Sequence, residues 1–284
     1  MKTQAKNLYR AHAVTVLQKR MSRSKFWGWG IFVTMSIAFG VSSVLLVNII
    51  RFGRMNLLLV SKQPLLLPVL INAVMVSLYL ALLASLDVTR EYTSGTLETL
   101  MAGPVDEFSF LAGIMAAMMK VFLVTLLMAF VWAYFCAWAL NFSINLDIAG
   151  LLFTTLFMAG EIIAFGLLTA VWGGKRKHTL VYFIMIVLFV GGVQLADFIV
   201  AGMVQFGGAK SAGSLIYLRN VLETIYRLLR WVSPYSQVRT AMQAFLDRRV
   251  LAFLFSMGSM ALEAVVFFAG SVLILKRKGT RGTR

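Results

Sequence analysis

The chain alternates long apolar runs with short polar ones. A membrane-crossing helix needs roughly 20 mostly apolar residues. Six stretches reach that length, near 26–50, 65–86, 109–140, 148–172, 179–204 and 249–275. The pattern predicts an all-α polytopic membrane protein with six transmembrane helices. The first run is too long for the apolar region of a cleavable leader, and nothing like an Ala-x-Ala site follows it. Six crossings put both termini on one side.

The segments between the runs differ in character. Residues 1–25 carry seven basic residues and no acid. Val14, Leu17 and Met21 share one helical face, with Lys19, Arg20 and Arg23 on the other side, which predicts a basic interfacial helix lying on the lipid surface. Residues 205–248 form the only sizeable non-membrane segment. Gly207, Gly208 and Gly213 open it as a turn-like cluster. Leu215, Leu218, Leu222, Ile225 and Leu229 then recur at helical spacing, predicting a helix over 216–231. Ser233-Pro234 breaks that helix, and a second short helix leads into Asp247.

Composition agrees with a membrane setting. Of 284 residues, 60% are apolar and 13% charged, against about 45–50% and about 25% in a soluble domain. A soluble enzyme, a disordered protein and a disulfide scaffold are all excluded as classes. The net charge of +16 would point to nucleic acid in a soluble chain. Here it reads first as topology, because Lys and Arg concentrate on cytoplasmic segments. With cytoplasmic termini, segments 1–25, 87–108, 173–178 and 276–284 hold 16 of the 27 basic residues. The triplets Lys175-Arg176-Lys177 and Lys276-Arg277-Lys278 abut span ends directly. No nucleic-acid partner is expected.

Familiar catalytic chemistry is missing. No G-x-x-x-x-G-K-[ST] phosphate loop is present; Gly207-Gly208-Ala209-Lys210-Ser211 echoes only its end. His12 and His178 have no metal-ligand spacing with any acid or with Cys136, the single cysteine. No nucleophile elbow appears. The chain is expected to be non-catalytic, to bind no metal and to hold no cofactor itself.

Besides Arg249 at the edge of the last run, four charged residues fall within the runs: Lys120, Glu161, Asp197 and Glu263. A charge at mid-membrane costs about 2.5–3.5 kcal/mol on insertion scales, so such groups face protein or water. Glu161 and Glu263 either line a path or pair with Lys120, or they serve as proton or ion sites of a secondary transporter. Ala112, Gly113, Ala116 and Ala117 make a small-residue pattern suited to close helix contact.

One polar segment stands out, Arg90-Glu91-Tyr92-Thr93-Ser94-Gly95-Thr96-Leu97-Glu98-Thr99-Leu100-Met101-Ala102-Gly103-Pro104-Val105. The stretch from Asp87 to Glu107 holds five of the eleven acids. Ser94 and Thr96 can cap a helix, Glu98 lies in a first turn and Gly103-Pro104 stops it. Leu97, Leu100 and Met101 then form one apolar face, as a short amphipathic docking helix would have.

This segment resembles the signature of the type 2 ABC exporter permeases, through Glu91, Gly95, Thr96, Leu97, Glu98, Leu100, Pro104 and Val105. Its place after the second of six spans fits that family. Ser233, Pro234 and Asp247 resemble the gliding-motility and copper-enzyme-maturation branch, in which an Asp follows a Ser-Pro by thirteen residues. Two positions depart from that branch: Ile114 stands where a lysine follows Gly113, and Ala244 stands where a glycine is usual. The resemblance implies a permease subunit, in a homodimer or heterodimer, in the bacterial plasma (inner) membrane with cytoplasmic termini. It implies a separate cytoplasmic ATPase partner that binds ATP and Mg. Glu91 to Met101 and Pro104, with the 1–25 helix, would contact that partner. A membrane anchor without transport of its own is a further alternative.

Overall fold

The computed structural model describes residues 14–16, 29–52, 65–95, 97, 105–141, 147–206, 224–225 and 233–279. The described chain is helical almost throughout, with no strand. Among the described residues seven helices of more than ten residues follow one another: α1 (Trp29–Phe52), α2 (Leu66–Thr93), α3 (Glu107–Ala139), α4 (Asp147–Gly173), α5 (Arg176–Phe206), α6 (Pro234–Leu246) and α7 (Val250–Gly279). All but α6 are long and apolar enough to cross a membrane. Each of the six coincides with one predicted span. The largest difference is at α2, which continues to Thr93 where the apolar run ends near 86. Val88 and Thr89 are buried on that extension, so packing carries the helix past the end of the apolar run.

Helix α4 is the centre of the bundle. It packs most extensively against α2 and α7, and it also meets α3, α5 and α6, while α1 rests on α2. Lipid is as apolar as leucine, so association between such helices depends on close packing and interhelical hydrogen bonds. Both are present. A Cβ placed on Gly166 of α4 would stand 2.5 Å from the carbonyl oxygen of Ala81 on α2 and 2.9 Å from its carbonyl carbon. Only a glycine admits backbone that close. Ser42 Oγ of α1 donates to the carbonyl of Pro68 on α2 over 2.9 Å.

Helix α3 turns a stripe of small and mid-sized residues inward at every fourth position: Gly113, Ala117, Val121, Thr125, Ala129, Ala133 and Ala137. The small-residue pattern read from the sequence contributes Gly113 and Ala117 to this stripe. Leu127, Val131, Tyr134, Phe135 and Trp138 lie exposed on the rest of its surface. At 33 residues and 1.5 Å per residue it is about 50 Å long. Asp106 caps it, accepting from the backbone N–H of Ser109 at 3.0 Å.

Helix α6 has 13 residues, with Ser233 at the cap and Pro234 in the first turn. Proline suits that place because its missing N–H would have no intrahelical partner there. Ser236, Gln237, Val238, Ala241 and Met242 are buried against α4 and α7. The short helix predicted before Asp247 is thus a packed part of the bundle. It passes to α7 through a tight turn in which Arg248 takes a left-handed φ of 58°.

Of the predicted interfacial helix over 1–25, the described part is 14–16, which is helical. Of the predicted helix over 216–231, only 224–225 are described, also as helix.

Candidate functional site

Two of the four charged residues expected inside spans come together at the centre of the bundle. Glu161 lies midway along α4 and Glu263 midway along α7. Their carboxyls are neighbours across the interface of the two helices. Glu161 is fully buried. Neither of its oxygens has a hydrogen-bond donor of good geometry among the described residues, and nor does Glu263 Oε2.

Glu263 is held from the side. Gln237 Nε2 of α6 donates to Glu263 Oε1 over 2.6 Å. Ser259 Oγ, one turn earlier on α7, donates to Gln237 Oε1 over 3.2 Å. The first turn of α6 and the middle of α7 are therefore joined by a part-buried polar relay. Above it, Gln194 Nε2 of α5 donates to Ser233 Oγ, so the capping serine bonds to another helix and not to its own backbone.

Beside Glu161 is a cavity of about 260 Å³. Five helices contribute to its wall, among them Leu78 of α2, Phe165 of α4, Val187 of α5, Tyr235 of α6 and Phe267 of α7. Its polar lining comes from Glu161, Gln194, Ser233 and Tyr235.

The pairing of Glu161 or Glu263 with Lys120 does not form. Lys120 is exposed on α3, and among the described residues no ion pair joins it to either glutamate. The reason is rotational: Ala117, Met118, Val121 and Phe122 turn inward at this level, which leaves Lys120 on the outer side. Asp197 lies on α5, in a stretch whose side chains are outside the described residues.

The segment carrying the permease resemblance begins at the last turn of α2. Glu91 is half-buried there, and Tyr92, Thr93 and Ser94 are exposed. Ser94 N–H closes the helix on the carbonyl of Arg90 at 3.0 Å. Gly95 then takes φ 71°, the left-handed conformation that ends many helices and that glycine enters without strain. Leu97 is helical and 5% exposed, within the core. Thr96, Glu98, Leu100, Met101 and Pro104 lie outside the described residues.

At the same end of the bundle Lys278 Nζ of α7 donates to the carbonyls of Val171 and Trp172 on α4, over 2.7 and 3.0 Å. Gly174, in the turn from α4 to α5, sits beside Lys278 and Tyr92. The ends of α2, α4 and α7 thus meet next to the polar segment.

The sequence reading missed Gln194, Ser233, Gln237 and Ser259 as members of the central polar cluster. They are uncharged, so a scan for charges within spans passes over them. Gln237, three residues after a Ser-Pro helix start, was the available signal.

The helices define an integral membrane protein with a polar centre inside its bundle. No protein-family model matches the chain, and no curated protein matches it.

Proposed function

We propose that the chain is the permease subunit of a type 2 ATP-binding cassette exporter, working with a separate ATPase subunit. The observation that carries this reading is the segment from Glu91 to Val105, which follows the second of six long apolar helices. The left-handed turn at Gly95 and the burial of Leu97 support it, since they suit a segment that leaves α2 and folds back with its apolar face inward. In this reading the termini are cytoplasmic and the membrane is the bacterial plasma membrane. Two permease chains pair, and ATP binding in the partner moves the 91–104 segment. Purification of the tagged chain in mild detergent recovers an ATPase that hydrolyses ATP faster when the permease is present. A chain that never brings down an ATPase overturns the reading.

The nearness of two acids, Glu161 and Glu263, inside the bundle favours a second reading, a proton- or ion-coupled transporter. It requires flux driven by a proton gradient without ATP, and loss of that flux in Glu161→Gln.

A further inference from the structure

The cavity beside Glu161 has a composition that specifies a ligand class. Its wall is mostly apolar and includes the rings of Phe165, Tyr235 and Phe267. Ligand pockets are typically apolar chambers of this kind with a few polar groups that fix orientation. A volume of about 260 Å³ is just below the usual range for such pockets, and it corresponds to the liquid volume of about nine waters. A small aryl or alkyl body fills it.

The polar groups set the charge. Glu161 is fully buried, borders the cavity and has no hydrogen-bond donor of good geometry on either oxygen among the described residues. Two acids side by side inside a bundle are costly to charge unless a positive group sits beside them. Within the described part of the site no basic side chain does so, since Lys120 faces outward on α3. Glu263, the neighbouring group, is another acid, and Gln237 engages its Oε1 alone. An organic cation supplies the missing positive charge, and aromatic faces in the wall attract the same kind of group. Gln194 and Ser233 are bonded to one another and offer only neutral contacts.

We propose that this cavity, between α2, α4, α5, α6 and α7, binds a small lipophilic organic cation, with Glu161 as its counter-charge and Phe165 and Phe267 against its apolar body. The inference stands on the cavity and goes beyond the ATPase reading, so each can fail alone.

The test uses the purified full-length chain in lipid nanodiscs and radiolabelled benzyltrimethylammonium, read by equilibrium dialysis. Saturable binding at one site per chain is expected. Glu161→Gln, which keeps the side-chain shape, weakens it at least tenfold. Val187→Trp, which fills the cavity and leaves Glu161 in place, also removes it, and Lys120→Gln leaves it unchanged. Unlabelled benzyltrimethylammonium competes, whereas its neutral carbon isostere neopentylbenzene does not. Absence of saturable binding to the wild-type chain overturns the proposal. So does equal binding by a folded Glu161→Gln variant, or equal competition by the neutral isostere. Variants are compared only where each elutes as a single species on gel filtration, and the wild-type competition decides the matter if both cavity variants misfold.

Discussion

The ammonium of Lys278 sits 2.7 Å from the carbonyl oxygen of Val171, so the last turn of α7 is fastened to the last turn of α4. The residues are 107 positions apart. The contact also places a positive charge at the negative end of α4, where the helix dipole favours it.

Removing this charge loosens that end of the bundle. Lys278→Met is expected to cost about 1–2 kcal/mol, the size of a charge-assisted hydrogen bond that is partly open to solvent. Denaturant unfolding in detergent measures it. An unchanged midpoint shows that the contact adds nothing to stability.

Gly166 and Gly160 make a matched pair on α4. Gly166→Val drives a side chain into the Ala81 backbone, and overpacking of this kind costs about 1–3 kcal/mol or more where backbone cannot yield. Gly160→Ala meets nothing within 4 Å and is expected to be neutral or slightly stabilising. Thermal aggregation of the two variants in the same detergent separates them. Equal loss in both refutes the close approach of α2 and α4 at Gly166.

The Gln237–Glu263 bond gives a non-additive signature. Gln237→Leu leaves the half-buried Glu263 without this donor, which costs about 1–3 kcal/mol. Replacing both residues by Leu removes the orphan together with its partner. The double variant is therefore expected to be more stable than Gln237→Leu alone, with a coupling energy of about 0.5–3 kcal/mol from the cycle. Simple addition of the two single effects rules out the relay.

At Gly95 the test is conformational. A left-handed backbone costs a side-chain-bearing residue about 1–2 kcal/mol, and asparagine is the residue that tolerates it best. Gly95→Asn is expected to keep ATPase stimulation near the wild-type level, and Gly95→Val to lower it severalfold with membrane insertion intact. Glu98→Arg is expected to uncouple the ATPase in the same way. Normal stimulation in both Gly95→Val and Glu98→Arg removes the assignment of this segment as the docking element.

The six long helices were legible because a membrane leaves little choice: uninterrupted apolar length is itself the signal. Rotation of each helix was not. Beyond its first turn, and apart from Lys120 and Thr125, α3 is apolar on all sides, and such a helix does not advertise its buried face. Lys120 could be assigned to a partner only once the stripe from Gly113 to Ala137 had fixed the inward side. The same limit hid the meeting of Glu161 with Glu263. They lie on separate helices far apart in sequence, and their depths agree only when α4 and α7 are packed. The polar end of α2 failed differently. Hydrophobicity stops near residue 86, but backbone hydrogen bonding and the burial of Val88 and Thr89 carry the helix to Thr93. At the candidate site, the acids announced themselves by charge, while Gln194, Ser233 and Gln237 became visible only by contact.

The length of α3 has a mechanical meaning. A helix of about 50 Å exceeds a hydrocarbon layer of about 30 Å even at the largest ordinary tilts, so at least a turn of it stands clear of the layer. Moved as a rigid rod, such a helix would turn about its contacts with α2, α4 and α7. Rocking it by about 10° around its midpoint sweeps either end through about 4 Å, close to one residue's length of chain. The end capped by Asp106 is joined directly to the polar segment after α2. A small push there thus becomes a comparable displacement, of opposite sense, at the far face of the membrane.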